Sequence, residues 1–253
     1  MGKQAKTDGS LPTGHGIITF HQDCVARPGW PSGAANQASG AGAAGVAGAA
    51  AGTGVAGDAK GTGAVQGDLW HWIEANHRYN SLLWAEEDLA RRTRVSDAEI
   101  AANKRNIDRF NQARNDATER VDELLLVALG RVDAASATGD APRSTPAAGA
   151  RLNSETAGSM IDRLSIMALK VDARRLQTQR KDVDEAHRQA SRVKLERLQA
   201  QRDDLAGCLD ELLAASREGR AYFKVYRQFK MYNDARFNPV LAAEAAAQDA
   251  AKG

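Results

Sequence analysis

Aromatic residues make up only 5% of the 253-residue chain, and cysteine occurs twice, at Cys24 and Cys208. Two thiols so far apart, without metal-type spacing, exclude a disulfide framework or structural zinc and point to reduced thiols in a reducing compartment. Neither sign of charge dominates, since 34 basic side chains stand against 32 acidic ones. A net charge of +2 gives no general field for nucleic acid or an anionic membrane, so any anion site is local. No Walker loop or Gly-x-Gly-x-x-Gly fingerprint sits at a strand–helix junction, and no Gly-x-Ser-x-Gly elbow follows a strand, which excludes the nucleotide-binding and nucleophilic chemistries built on them. The start, Met1-Gly2-Lys3-Gln4-Ala5-Lys6, has neither a secretory apolar core nor the Ser or Thr of a myristoylation signal. The one superficially apolar stretch, Ala41 to Gly57, is Ala and Gly with hardly any larger side chain and lacks the transfer energy for membrane insertion. The expectation is a cytoplasmic protein with no transmembrane segment and no nucleic-acid partner.

What is present is helical patterning over a chain that is 43% apolar, enough to bury a core. The pattern predicts an all-α fold: an elongated helical bundle of five to six helices, two of them long. Residues 1–30 read as an N-terminal segment with a short helix, Ile17 to Val25, that turns Ile17, Phe20 and Cys24 inward. Residues 31–67, mainly Gly, Ala, Ser and Thr, read as a flexible linker with nothing sizeable to bury. A single helical domain is expected over 68–241, opening with Asp68 as an N-cap and carrying a polar loop at 130–153. Ser96 and Glu99 form a capping box for a long helix that Gly130 closes. Ser154 to Gln179 reads as a helix that is apolar nearly all round and hence central, and Asp182 to Arg217 as a second long helix. A last helix is expected from Arg220 to Tyr232, and 242–253 as a flexible tail.

On the first body helix, Asn76, Asn80, Trp84, Glu87 and Arg91 recur at three- and four-residue steps and share a face. The next helix repeats the pattern with Lys104, Asp108, Asn111, Asn115, Glu119 and Asp122, with Arg114 beside the row. Rows of this kind are commonly a solvated face of i,i+4 pairs. Amides tilt the balance, because Asn103, Asn106, Asn111 and Asn115 weaken a helix without adding charge pairs, a cost that suits groups reserved for specific hydrogen bonds. Glu74 and His77 have the Glu-x-x-His spacing of di-iron bundles, but the second candidate, Asp184-Glu185-Ala186-His187, falls among Lys and Arg on a solvated helix, so a di-metal site is disfavoured. Tyr222, Phe223, Lys224, Tyr226, Arg227, Phe229 and Lys230 interleave rings with cations. That pattern fits an amphipathic helix with wet cations better than a stacking platform for a sugar or base.

Several strings resemble a bacterial family of unknown function. They include Asn80-Ser-Leu-Leu-Trp84-Ala-Glu86-Glu87-Asp88-Leu-Ala90-Arg91, Lys104-Arg-Asn-Ile107-Asp108 and Asn111-Gln112-Ala-Arg114-Asn115-Asp116. Others are Glu155-Thr156-Ala-Gly158, continuing to Lys170, and Tyr226-Arg227-Gln-Phe-Lys230-Met-Tyr232-Asn233-Asp234. The likeness spans Asp68 to Leu241, with an echo at Ile17 to Trp30. Members of that family often lie near glycosyltransferases for lipopolysaccharide or other surface glycans, so the resemblance implies a glycosyltransferase or sugar-nucleotide partner.

The resulting expectation is an accessory or binding protein of surface-polysaccharide assembly that takes a sugar-nucleotide, a glycan precursor or a glycosyltransferase partner in a polar interhelical cleft. Asn80, Trp84, Glu87, Asp88, Arg91, Lys104, Asp108, Asn111, Arg114, Asn115, Asp162 and Lys170 would line the cleft, with Lys224, Arg227, Lys230 and Asn233 closing it. Carboxylates would accept sugar hydroxyls and cations would hold phosphate. Two alternatives stay open. One is a metal-dependent hydrolase or transferase acting on a phosphorylated sugar, with Glu87, Asp88, Asp108 and Asp162 as metal ligands or acid and base. The other is a structural helical scaffold. The residues specify neither a catalytic group nor a cofactor.

Overall fold

The computed structural model describes residues 11–31, 62–229 and 237–250, with the side chains of 62–67 excepted. Helix α1 spans Gly14–Ala26 and α2 spans Thr62–Leu89. Helix α3 spans Asp97–Ala128, α4 spans Ala157–Gln179 and α5 spans Glu185–Arg217. A short parallel pair joins β1, Arg151–Leu152, to β2, Ala221–Tyr222, and α6 spans Pro239–Ala250. The fold is an all-α bundle of six helices among the described residues, two of them of 32 and 33 residues, or about 50 Å each at 1.5 Å per residue.

Local chemistry sets most helix ends. The Ser96 hydroxyl accepts the Glu99 amide while the Glu99 carboxylate accepts the Ser96 amide, which completes the capping box of α3. Thr156 and Asp184 do the same single-sided work for α4 and α5, accepting the amides of Ser159 and His187. Gly130 follows α3 with φ 65°, a left-handed conformation that glycine takes without the steric cost of a Cβ.

Helices α2 and α3 pack as one hairpin and α4 and α5 as another, and α1 lies across α4 and α5 with a lighter contact to α2. Leu124, Leu125 and Leu126 of α3, Ile161 and Leu164 of α4, and Leu209, Leu212 and Leu213 of α5 make one apolar core. Helix α1 adds Ile17 and Ile18, both buried. Its approach to α5 is close. A Cβ built on Gly14 would stand 2.4 Å from the Ala206 carbonyl oxygen, and the Gly14 amide donates to Asp210 Oδ1 at 2.7 Å.

Four local expectations change. Helix α2 begins at Thr62, ahead of Asp68, so the low-complexity run gives way to helix earlier than its composition suggests. In α1, Ile17, His21 and Cys24 are buried, while Phe20 is only partly so and rests on Trp70 at 4.9 Å between ring centroids. The segment expected to be a helix from Arg220 is instead a strand at Ala221–Tyr222 followed by chain without regular structure through residue 229. It alternates Ala221, Phe223 and Val225 inward and is started by the ladder to Arg151 and Leu152. The Ala-rich end is helical over Pro239–Ala250 and buries none of its residues. The Gly/Ala run at 32–61 lies outside the described residues.

Candidate functional site

The buried face of α2 is polar. After Leu69 and Ile73 it continues inward with Asn76, His77, Asn80 and Ser81, each 5% exposed or less. Groups of this kind enter a core only when their hydrogen bonds are met there, and α4 meets them with Asp162 and Ser165. Asn76 Nδ2 donates to Asp162 Oδ1 at 2.8 Å and to Thr118 Oγ1 at 3.0 Å. Asn80 Nδ2 donates to the same Asp162 oxygen at 2.8 Å and to Ser165 Oγ at 3.0 Å. His77 continues the network with Nδ1 2.8 Å from Ser165 Oγ and Nε2 3.2 Å from the His21 carbonyl oxygen of α1. Ser81 accepts the Trp30 indole N–H at 3.0 Å and donates to the His77 carbonyl.

Two imidazoles close the inner end. His21 and His77 stack with centroids 4.3 Å apart. Burial lowers the pKa of His77 to about 4, with the Arg27 guanidinium acting in the same direction and the His21 carbonyl against it. Burial and then the His77 ring hold His21 well below the ordinary histidine range. Both are therefore neutral near pH 7.

At its outer end the network reaches a cleft of about 430 Å³ where α2, α3 and α4 meet. Asn80, Trp84, Glu87, Asp88 and Arg91 line one wall, Asn111 and Arg114 the second, and Ile166 and Leu169 the third. The α2 row thus climbs from buried Asn80 to an open mouth, where Arg91 is paired with Glu87 at 3.2 Å. Arg114 sits deeper. Its Nη2 donates to Asn115 Oδ1 at 3.0 Å, but Nε is buried without a hydrogen-bond partner, 4.0 Å from Asp162 Oδ1. This N–H is closed to solvent and unmatched, a cost that the fold carries beside the cleft wall and that the Asp162 carboxylate offsets in part.

The remaining candidates fall elsewhere. Lys104 and Asp108 pair with each other at 2.6 Å on an exposed face. Asn115 is buried and donates to Gln228 Oε1 at 2.8 Å. Lys170 lines a separate, larger groove of about 1250 Å³ between α4 and α5. Lys224 lies over the Tyr222 ring at 5.9 Å. Arg227 is bound to Glu119 and Glu123 at 2.9 and 2.5 Å and to the carbonyls of Ala137 and Gly139. Lys230 and Asn233 lie outside the described residues. The amide-rich character of α3 has mainly internal causes, since Asn103 and Asn106 both donate to the buried Glu86 carboxylate, which leaves Asn111 as the amide of that helix facing the cleft.

Sequence reasoning passed over Ser165, Thr118 and His21, which bind or stack on the polar stripe. Nothing local marks them. Asn76 and His77 were visible as part of a helical face, but their partners lie 42 to 88 residues away.

Glu74, the other half of the Glu-x-x-His pair, is bridged to Arg27 at 2.9 Å. Among the described residues no three His, Cys, Asp or Glu side chains converge as metal ligands would, and no helix is long and apolar enough to cross a membrane.

These features define an all-α bundle with a polar interior that opens into an interhelical cleft of mixed charge. The chain belongs to the family described as "Protein of unknown function (DUF4254)", whose model matches residues 70–225. No curated protein and no solved structure matches it.

Proposed function

We propose that the cleft between α2, α3 and α4 binds a small polyhydroxylated ligand carrying an anionic group, of the sugar-nucleotide or phosphorylated glycan-precursor class. The single observation behind this reading is Arg114, whose buried Nε has no partner at the cleft wall. A phosphate oxygen in the cleft adds an anionic acceptor to a guanidinium otherwise held by Asn115 and, at 4.0 Å, by Asp162, and a charged hydrogen bond is stronger than a neutral one. The surroundings fit the rest of such a ligand. Trp84 offers a ring face for a sugar, Glu87 and Asp88 accept hydroxyls, and Asn80 and Asn111 accept and donate. A role beside glycosyltransferases in surface-polysaccharide assembly rests on the family likeness of the sequence and belongs to the same proposal.

A thermal-shift panel of sugar-nucleotides and sugar phosphates, run with EDTA and again with divalent cations, tests the reading. A ligand at a hundred times its dissociation constant stabilises by about 2.7 kcal/mol, well within reach of the method. Arg114→Ala is expected to abolish the shift while leaving the ligand-free protein folded. Silence of the wild-type protein across the panel, or a shift that survives Arg114→Ala unchanged, overturns it. A shift that appears only with metal and is lost with Glu87→Ala moves the weight to a metal-dependent enzyme.

A further inference from the structure

The polar network has a second end, and it lies in α1. The His21 carbonyl accepts only, so His77 carries its proton on Nε2 and leaves Nδ1 as an acceptor. Ser165 therefore donates its hydroxyl to Nδ1, at 2.8 Å, and its oxygen receives Asn80 Nδ2 at 3.0 Å. The second Asn80 proton goes to Asp162 Oδ1, at 2.8 Å, the oxygen nearest Arg114 Nε. An acceptor-only group stands at each end, and the two Asn80 protons take the two shorter of its three acceptors, Asn76 Oδ1 lying farther off at 3.4 Å. Reversing any link would set two donors or two acceptors face to face.

Two further ties hold α1 and the residues after it to the same helix. The Trp30 indole donates to Ser81 and its ring lies 5.3 Å from that of His77. Gly14–Trp30 stands outside the residues that match the family and is held to the body by the Gly14–Asp210 bond, the Arg27–Glu74 pair and its buried Ile17, Ile18, His21, Cys24 and Trp30.

We propose that the Gly14–Trp30 segment is a coupled regulatory element of the cleft. A ligand that engages Arg114 and shifts the charge seen by Asp162 changes the hydrogen bonds of Asn80, and through Ser165 and His77 changes the hold on the His21 carbonyl. By linkage, docking of α1 sets the geometry that the cleft presents. The identity of the ligand rests on the reading proposed above. The hydrogen-bonded chain does not, and the experiment separates the two.

Amide hydrogen exchange of the full chain, followed by mass spectrometry on the Gly14–Ala26 peptide, reads the docked state without ligand. Ser165→Ala removes the donor to His77 at a point away from the cleft wall, and Asn80→Ala cuts the chain at the cleft. Each is expected to speed exchange in α1 by about threefold to thirtyfold, the range of coupling energies carried by such networks. Exchange at Leu124–Leu126 should stay as in the wild type. Glu119→Gln, which disturbs only the contacts of Arg227 and Gln228, should leave α1 unchanged. Wild-type exchange of α1 in both Ser165→Ala and Asn80→Ala, or equal acceleration by Glu119→Gln, overturns the proposal. In a second arm UDP-glucose is added. Calorimetric binding with no change in α1 sinks the coupling and leaves the cleft standing. Absence of binding counts against UDP-glucose as a ligand of the cleft, and the ligand-free arm still decides the coupling.

Discussion

At the scale of single residues, Asp122 is an electrostatically strained position. It is 4% exposed and accepts the Gly158 amide at 2.6 Å where α4 begins. Burial raises its pKa to about 7, Thr156 and the Gly158 amide work against that rise, and Glu119 and Glu123 add to it. The folded protein thus favours the protonated acid, and stability present at low pH is lost as pH rises from about 4 to about 7. An amide keeps the oxygen that accepts Gly158 and removes the charge. Asp122→Asn is therefore expected to raise Tm by several degrees at pH 8.5, by about a third as much at pH 5 and hardly at all at pH 3.5, since one kcal/mol moves Tm by a few degrees in a domain of this size. A scanning-calorimetry series over pH tests this, and an equal shift at all three values would show that Asp122 does not titrate in that range.

Among the helices, the attachment of α1 depends on a missing side chain, as that of α4 does at Gly158. The Cβ of an alanine at position 14 would meet the Ala206 carbonyl oxygen and carbon at 2.4 and 2.8 Å, and backbone on that side cannot rotate away. Gly14→Ala is expected to release α1 while the α2–α5 body stays folded. Limited proteolysis should then cut within Ile17–Val25 with the core peptide intact. Full resistance of that helix would show that α5 yields instead.

The same elements mark where reading the sequence succeeded and where it stopped. Capping residues and apolar periodicity are local, so Ser96 and Glu99, Gly130 and the two long helices were legible before any coordinates. The strap after Arg220 was not. Tyr222, Tyr226 and Phe229 sit at helical spacing, yet Ala221, Phe223 and Val225 also alternate at the period of a strand. The pairing with Arg151 and Leu152, about 70 residues earlier in the chain, selects the second pattern. Asn80, Trp84, Glu87, Asp88 and Arg91 were legible as one face of a helix, and Arg114 as its neighbour. That Lys104 and Asp108 turn to water was not, because periodicity groups residues on a helix without saying which stripe a partner helix covers.

For the whole molecule, the two buried imidazoles and Asp122 give opposing responses to acid in one pH window. His77, with a folded pKa of about 4, and His21, also lowered, bind protons on unfolding when pH falls below about 6.5, the ordinary histidine value. Their contribution is fully present above that value and is lost as pH falls toward 4. Asp122 releases a proton on unfolding over much the same interval, because its folded pKa is about 7 and its unfolded value about 4. Near pH 5.3 two imidazoles take up protons on unfolding while one carboxylate releases one, so uptake wins and stability falls on acidification. Asp122→Asn removes the opposing term and should steepen that slope. Replacing His21 with Phe, which keeps a ring against His77, should flatten it. Urea titrations at half-unit steps from pH 4.5 to 7 read all three slopes. Parallel curves for the wild type and the His21→Phe protein would mean that His21 is charged in the folded bundle, and the neutral stacked pair at the inner end of the network would have to be abandoned.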